Sequence, residues 1–327
     1  MKDEYRFLPL SLSPCPSIWY NPGRSSRNGA KIMSPSRRDP EIIADFQCHN
    51  AEVPTWHAGE QKLYWTDIPT GRMFRYDPGT GESEQIYQGE PVGGFVVAED
   101  GSLLLFKTKG TIERWNGGTI TTIVPEIPEQ RDTRFNDAIV DPVGRVYSGT
   151  MATPKHSGCL FRLDLDGTLH VVLDAAEVPN GMGFNRDRTR LYYTDSPQRT
   201  IYSFEYDRET GDLRDRQAFL ITPDGEGVPD GLTVDAEGCI WSARWDGGHL
   251  FRYSPEGEEL LRIPFPARKV SSVTFGGADY TDIFVTTAGG NDRPREGEGA
   301  GAVFRLNLGI RGVPEFTAKL VSPRHRR

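Results

Sequence analysis

Residues 230–257 read DGLTVDAEGCIWSARWDGGHLFRYSPEG, and this stretch contains the pattern from which the fold is predicted. It contains short apolar and aromatic runs, each ended by Gly, Pro or acidic residues. Runs of this length between such residues are typical of β-strands joined by tight turns. No window of 12 or more residues along the chain shows a helical period. The stretch therefore predicts strands connected by hairpins.

The same pattern recurs six times along the chain. The copies align on positions 75, 114, 162, 203, 252 and 305, so that successive copies lie 39, 48, 41, 49 and 53 residues apart. Asn116-Gly117 and Asp166-Gly167 lie between runs, as expected of hairpin turns. Repeats of about 40–50 residues with about four strands each are typical of propeller blades. The sequence thus predicts an all-β fold, a six-bladed β-propeller.

One position of the repeat carries a polar side chain in most copies. It opens the first run of each unit and is occupied by Glu52, Gly93, Asn136, Asn180, Asp230 and Ser271. Four residues later each copy has an apolar residue, namely Trp56, Val97, Val140, Phe184, Val234 and Phe275. In a propeller the innermost strand of each blade lines the central channel. We therefore expect the first set to ring one mouth of the channel and the second to pack between blades.

Four members of this ring carry a carboxylate or a carboxamide: Glu52, Asn136, Asn180 and Asp230. Carboxylate and amide oxygens are the ligands that Ca²⁺, Mg²⁺ and Mn²⁺ prefer. Two carboxylates facing each other across a channel also need a counter-charge. Taken singly, each residue has another interpretation, because Asn-Gly and Asp-Gly are turn dipeptides, Asn136 could cap a loop, and Glu52 could end a solvated strand.

The composition argues against several classes of protein. The chain has 327 residues, with 38 lysines and arginines against 46 acids and a net charge of −8. Nucleic-acid binding needs a basic surface, so we expect no nucleic-acid partner. No stretch approaches the roughly 20 apolar residues of a membrane span, so we expect no membrane association. Four scattered cysteines and the lack of an N-terminal apolar core favour a cytoplasmic protein. The sequence gives no indication of the oligomeric state.

Three segments fall outside the repeat pattern. Residues 1–40 are dominated by Pro, Ser, Arg and Gly without periodicity, and we predict a flexible N-terminal extension. We predict that 41–322 form the propeller and that 323–327 form a basic tail. Residues 289–301 (GGNDRPREGEGAG) interrupt the last unit and are a candidate lid over the mouth of the channel.

Several motifs resemble one known family. They are RFNDAIVDPVGRVYSGTM (134–151), VPNGMGFNRDRTRLYYTDS (178–196) and VPDGLTVDAEGCIWSARWDGG (228–248). These motifs are similar to the SMP-30/gluconolactonase/regucalcin family, and the resemblance covers roughly residues 45–308 in the correct order. It implies a six-bladed propeller with one divalent metal in the channel and activity on sugar lactones.

The resemblance also implies roles for particular residues. The metal ligands of the family fall on Glu52, Asn180 and Asp230, and Asp230 also stands where the catalytic base is expected. The substrate-facing arginine and asparagine fall on Arg134 and Asn136. All of these except Arg134 belong to the ring that the repeat selects.

Three features bear on the choice of substrate. Gly93 and Ser271 supply no ligand, so we expect them to leave one side of the ring open to a substrate. Ala51 and Val53 flank Glu52 at positions where the family usually has glycine. The short segment ATPKHSGC (152–159) has no counterpart for the acidic lid residue of the animal proteins.

The expected function is hydrolysis of a sugar lactone to the aldonic acid, with one divalent metal ion (Ca²⁺, Mg²⁺, Mn²⁺ or Zn²⁺). The metal would polarise the carbonyl, and Asp230 would act as general base toward water. Two alternatives stay open: another ester or phosphotriester hydrolase on the same site, and a calcium-binding or sugar-binding propeller with little turnover. A serine hydrolase is disfavoured, because the Gly-x-Ser-x-Gly motif is absent.

Overall fold

The computed structural model describes residues 39–320. These residues form 24 β-strands and three short 3₁₀ turns, Ile68–Thr70, Pro128–Gln130 and Arg293–Glu296. All but the last two residues of the predicted extension (1–40), and the whole basic tail (323–327), lie outside this range. The predicted domain boundaries therefore stay predictions. Between residues 39 and 320, no helix is both long and apolar enough to pass through a lipid bilayer.

The strands form six antiparallel sheets of four strands each, which we number as blades I to VI. Blade I consists of β2 (Ala51–His57), β3 (Lys62–Asp67), β4 (Arg72–Asp77) and β5 (Glu82–Gln88). Blade II consists of β6 (Val92–Val97), β7 (Leu103–Lys107), β8 (Ile112–Asn116) and β9 (Thr119–Val124). Blade III consists of β10 (Phe135–Val140), β11 (Val146–Thr150), β12 (Gly158–Leu163) and β13 (Leu169–Ala176).

The second half of the chain repeats the arrangement. Blade IV consists of β14 (Pro179–Phe184), β15 (Arg190–Asp195), β16 (Thr200–Tyr206) and β17 (Leu213–Ile221). Blade V consists of β18 (Val228–Val234), β19 (Ile240–Trp245), β20 (His249–Tyr253) and β21 (Glu259–Pro264). Blade VI consists of β22 (Val270–Gly276), β23 (Asp282–Thr287), β24 (Val303–Asn307) and β1 (Glu41–Ala44).

Strand β1 closes the ring, because the first strand of the described chain pairs with the last. Glu41 lies opposite Arg305 and Ile42 lies opposite Phe304, so the two ends of the propeller share blade VI. The innermost strands β2, β6, β10, β14, β18 and β22 contact one another in sequence, and β22 contacts β2. The prediction of an all-β, six-bladed propeller is confirmed.

Aromatic contacts between blades hold the ring together. Trp56 of blade I stacks on Phe284 of blade VI, with ring centroids 5.8 Å apart. Phe275 of blade VI meets Trp241 of blade V edge to face at 5.6 Å. Such pairs stabilise a core by more than their buried area alone. The expectation that apolar residues four places after the ring positions pack between blades is therefore confirmed for Trp56 and Phe275.

Residues 311–319 cross the end of the channel at which the inner strands finish. The amide of Ala236 in blade V donates to the carbonyl of Arg311 at 2.8 Å, and the amide of Ala318 donates to Val97 of blade II at 2.9 Å. The chain thus spans from one side of the ring to the other at this end. The predicted site residues lie at the opposite end, where the inner strands begin.

Candidate functional site

A cleft of about 340 Å³ lies at the mouth of the channel where the inner strands begin. All five predicted site residues line it: Glu52, Arg134, Asn136, Asn180 and Asp230. They come from blades I, III, IV and V, so the cleft exists only when the ring is assembled. The structure therefore brings the predicted metal ligands and the substrate-facing residues together.

A break in the pairing register of each inner strand lies at or beside the ring position. The break occurs in all six blades, for example between Glu52 and Thr55 in blade I and between Asn136 and Ala138 in blade III. A β-bulge of this kind bends the strand and re-aims a side chain. The repeated bulge explains why these side chains face the channel.

The glycines after Asn180 and Asp230 allow neighbouring inner strands to approach closely. A Cβ atom at Gly181 would lie 2.1 Å from the amide nitrogen of Leu232, and one at Gly231 would lie 2.1 Å from Oγ of Ser272. No side chain fits at such distances. Asn180 and Asp230 lie within strands β14 and β18, so the alternative interpretation of these dipeptides as turns is wrong.

The two carboxylates of the cleft are buried without a matching positive charge in contact. Glu52 is 6 % exposed and Asp230 is 3 % exposed. Burial, followed by the negative charges of Asp230 and Asp137, raises the pKa of Glu52 well above its ordinary value. Burial and the charge of Asp137 likewise raise the pKa of Asp230. Asp230 Oδ1 is buried and receives no hydrogen bond, which is costly for a carboxylate oxygen.

Arg134 and Asn136 form a pair of their own. Arg134 Nη1 donates to Asn136 Oδ1 at 2.7 Å and to the carbonyl of Phe135 at 2.9 Å. Asn136 Nδ2 donates to the carbonyl of Pro179 at 2.6 Å. Both ends of the Asn136 amide are therefore engaged by the protein. The geometry favours Asn136 as the residue that holds the Arg134 guanidinium in the cleft, and contact of Asn136 with a substrate stays a prediction.

The donors that remain fit a hard divalent cation. Between residues 39 and 320, no cluster of three or more His, Cys, Asp or Glu side chains is placed to hold a metal. A site at this mouth therefore needs the amide oxygen of Asn180 beside the carboxylates of Glu52 and Asp230. All three are oxygen ligands of the type that Ca²⁺, Mg²⁺ and Mn²⁺ accept, and a cation would give the unpartnered Asp230 Oδ1 a partner.

Gly93 and Ser271 do not provide the open side that was expected of them. Ser271 Oγ donates to the carbonyl of Ala51 at 2.6 Å, so its side chain joins blade VI to blade I. A Cβ atom at Gly93 would lie 3.1 Å from Arg134 Nη1, so the guanidinium fills the space beside it. Neither residue lines the cleft. The expectation is wrong because the small residues serve the contacts between neighbouring strands.

The structure adds two cleft residues that sequence reasoning did not select. Ser196 follows strand β15 and lines the cleft beside Asn180, to which its Oγ is bonded at 3.1 Å. Trp245 is the last residue of strand β19, and its partly buried aromatic side chain lines the cleft. Both lie inside motifs that carry the family resemblance, at the ends of the second strands of their blades. The end of the second strand lies beside the ring position in each blade, and aligning that position across the repeats could have selected both residues from the sequence.

A protein-family model described as "SMP-30/Gluconolactonase/LRE-like region" matches residues 50–289. The chain belongs to this family. A pentonolactonase, XacC of Haloferax volcanii, is 45 % identical over 281 residues, which cover 84 % of this chain and 96 % of the relative. The regucalcin of Gallus gallus is 31 % identical over 290 residues, covering 84 % and 97 %.

The structural comparison agrees with the fold of the SMP-30/gluconolactonase family. A solved structure of a calcium-binding protein, regucalcin, from Agrobacterium tumefaciens superposes with a TM-score of 0.80. It is 22 % identical, and the alignment covers 87 % of this chain and 98 % of that one. At this identity the likeness supports the six-bladed architecture alone.

This member of the SMP-30/gluconolactonase family departs from the expected pattern beside Glu52. Val53 stands where the resemblance implies a glycine, and its φ is +52°. Positive φ is an outlier for a β-branched residue and indicates local strain. The β-bulge beside Glu52 therefore forms with Val53, although glycine adopts a positive φ more easily.

The candidate lid, residues 289–301, is anchored by ion pairs. Glu296 lies 2.6 Å from Lys269 Nζ and 2.8 Å from Arg268 Nη2. In the same 3₁₀ turn, Arg293 Nη2 lies 2.5 Å from Asp45 Oδ2. None of these residues lines the cleft. A lid role for this loop stays a prediction.

Proposed function

We propose that this protein hydrolyses a sugar lactone to the aldonic acid with the help of one divalent metal ion. The observation that carries the proposal is the buried pair Glu52 and Asp230, left without a counter-charge on the wall of a cleft that also contains Arg134. A pentonolactonase among the relatives, 45 % identical over 84 % of this chain, supports the substrate class. The cleft, at about 340 Å³, lies at the small end of the roughly 300–1,000 Å³ usual for small-molecule sites.

Glu52, Asn180 and Asp230 would hold the metal. When bound there, a divalent cation supplies Lewis-acid polarisation of the lactone carbonyl. Asp230 takes a proton from the attacking water, whose oxygen forms the new bond to the carbonyl carbon. The bond from that carbon to the ring oxygen then breaks, and the proton passes to the ring oxygen, which leaves as a hydroxyl. Water and lactone thus become the aldonic acid, with no other reactant.

Arg134 serves the substrate rather than the metal in this proposal. Its guanidinium is held by Asn136 and the Phe135 carbonyl through one nitrogen, Nη1, which leaves other N–H groups for a ligand. A guanidinium presents five donors in a fixed plane and stays charged at any working pH. It is therefore suited to sugar hydroxyls and to the carboxylate that forms as the ring opens.

A panel of substrates, assayed with and without bound metal, tests the proposal. Five- and six-membered sugar lactones, an aryl ester and a phosphotriester are followed by acid release in a pH-stat. We expect turnover of at least one sugar lactone, its loss after chelation, and its recovery with one of Mn²⁺, Ca²⁺, Mg²⁺ or Zn²⁺.

Three outcomes contradict the proposal. If metal analysis shows that the protein is free of metal and it still turns over the lactone at the full rate, the cation has no role in the reaction. Turnover of the ester or phosphotriester without any lactone would favour the alternative hydrolase. Tight lactone or cation binding with no turnover of any substrate would favour the binding propeller.

A further inference from the structure

Side-chain hydrogen bonds join neighbouring blades at the level of the ring. In four of the six joints a side chain donates to the backbone carbonyl just before the next ring residue: Thr66 to Val92 at 3.3 Å, Asn136 to Pro179 at 2.6 Å, Ser196 to Pro229 at 2.7 Å and Ser271 to Ala51 at 2.6 Å. These bonds lock the inner strands in their relative positions. The joint between blades IV and V differs from the others in one respect.

At that joint the hydroxyl of Ser196 stands between a ring residue and the next blade. Asn180 Nδ2 donates to Ser196 Oγ at 3.1 Å, and Ser196 Oγ donates to the Pro229 carbonyl at 2.7 Å. Pro229 immediately precedes Asp230, so one hydroxyl connects the strands that carry two proposed metal ligands. Asn180, Ser196 and Asp230 are 7 %, 9 % and 3 % exposed, so water does not compete freely for these bonds.

The chemistry of the hydroxyl decides which way the Asn180 amide faces. A hydroxyl has one proton, and a backbone carbonyl only accepts, so the proton of Ser196 is committed to Pro229. Toward Asn180 the hydroxyl can then only accept, which requires the NH₂ end of the amide. The orientation of an amide is ambiguous without such a network. Here the network turns Nδ2 toward Ser196 and leaves Oδ1 as the end available to a cation.

We propose that Ser196 is a positioning residue that holds Asn180 with its oxygen, rather than its NH₂ group, toward the metal. The inference rests on the proposed metal site and adds a residue to it. Without the hydroxyl the amide loses a buried partner that selects its NH₂ end, and an NH₂ group facing a cation is repulsive. Partners that orient metal ligands in this way typically contribute 10–100-fold to metal affinity.

The test measures metal binding rather than activity. Mn²⁺ is titrated calorimetrically into the metal-free full-length chain, and unfolding of the metal-free protein is followed by circular dichroism. We expect Ser196→Ala to weaken Mn²⁺ binding about 10–100-fold. Thr66→Val is the control, because it removes another buried hydroxyl at a joint between blades, one that is shared between the carbonyls of Arg72 and Val92 and orients no amide. We expect it to retain wild-type affinity, while both variants lower the stability by similar amounts.

A second background separates orientation from general loosening. In Asn180→Asp the ligand has two equivalent oxygens, so its orientation no longer matters. Adding Ser196→Ala to Asn180→Asp is therefore expected not to weaken Mn²⁺ binding, because the hydroxyl oxygen that faces position 180 meets a carboxylate there and both groups are acceptors. Ser196→Thr, which restores a hydroxyl, is expected to recover most of the affinity that Ser196→Ala loses.

Each contrary result has a distinct meaning. Wild-type affinity in Ser196→Ala would overturn the positioning role, and so would an equal loss in Thr66→Val. The same loss from Ser196→Ala in both the Asn180 and Asn180→Asp backgrounds would show that the hydroxyl stabilises the channel without orienting the amide. A wild-type protein that binds no divalent cation would overturn the proposed metal site itself, and this inference with it.

Discussion

Strand β18 of blade V has an aspartate at each end, and the two have opposite surroundings. Asp235, just past the strand, is 1 % exposed and fully paired. Its Oδ2 accepts from Trp241 Nε1 at 2.9 Å and from Arg252 Nε at 2.8 Å, and its Oδ1 accepts from the amide of Cys239 at 3.0 Å. Asp230, near the start of the strand, is 3 % exposed, and its Oδ1 has no partner.

The difference separates a carboxylate whose charge and hydrogen bonds the fold satisfies from one that the fold leaves without a partner on one oxygen. A buried carboxylate that is paired and hydrogen-bonded contributes to the fold, whereas one that is buried and unpartnered costs stability. A fold retains such a cost where something else compensates it, and a bound cation at the mouth of the channel would do so. Blade V thus places the same residue type in opposite surroundings at its two ends.

The largest expected effect comes from removing the charge at the cleft end. Asp230→Asn is expected to lower kcat/KM for a lactone substrate by at least about 10²–10⁴-fold, because a general base contributes that much. The metal-free variant should be as stable as the wild type or more stable, because the change removes an unpaired buried charge. Steady-state assays and urea unfolding of the metal-free protein measure the two effects. Near-normal turnover in Asp230→Asn would show that Asp230 has no catalytic role and does not differ from Asp235 in this respect.

The matching change at the far end should act on stability instead. Asp235→Asn leaves Arg252 with Glu237 as its remaining carboxylate partner, and breaking a buried ion pair costs roughly 3–5 kcal/mol. Because Glu237 persists, we expect about 3 kcal/mol, the lower end of that range. Urea unfolding gives the loss, and kcat/KM per folded molecule should stay unchanged. If Asp235→Asn lowered activity as strongly as Asp230→Asn, the two ends would not differ in role.

A smaller effect should appear in the pH dependence of the metal-free protein. Burial raises the pKa of Asp230 above its ordinary value of 3.8. The folded protein therefore holds this proton more tightly than the unfolded chain, and the resulting stability is present below pH 3.8 and lost as the pH rises through the folded pKa. Wild type should thus lose stability relative to Asp230→Asn as the pH rises above about 4.

Saturating Mn²⁺ is expected to reverse this trend, because the ligand carboxylates must be deprotonated to bind. Scanning calorimetry of wild type and Asp230→Asn across pH, with chelator and with Mn²⁺, measures both. Parallel curves for the two proteins in chelator would show that the Asp230 carboxyl is not perturbed by its surroundings.

Much of the site could be predicted from the sequence, because the repeat and the site share one cause. Equivalent positions of six similar blades must meet around one axis, so aligned polar residues such as Glu52, Asn180 and Asp230 converge. The bulges that aim them, and the use of Asn136 to hold Arg134, could not be predicted in this way. The bulges depend on the pairing of neighbouring strands, and the Asn136 amide is oriented toward Arg134 by its bond to Pro179, 43 residues away.

The strands, the six repeats and the set of residues at the mouth follow from the sequence alone, because apolar periodicity and turn residues act locally along the chain. Which of those residues lack a partner within the protein depends on the folded arrangement. Asp230 and Asp235 stand five positions apart in one motif and look alike as sequence, yet Arg252 and Trp241 reach one and not the other. Ser271 looks like a gap in the ring until it bonds to Ala51, 220 residues earlier. The hydrogen-bond and ion-pair partners of a buried polar group are supplied by residues that are distant in the sequence, so local sequence patterns do not reveal them.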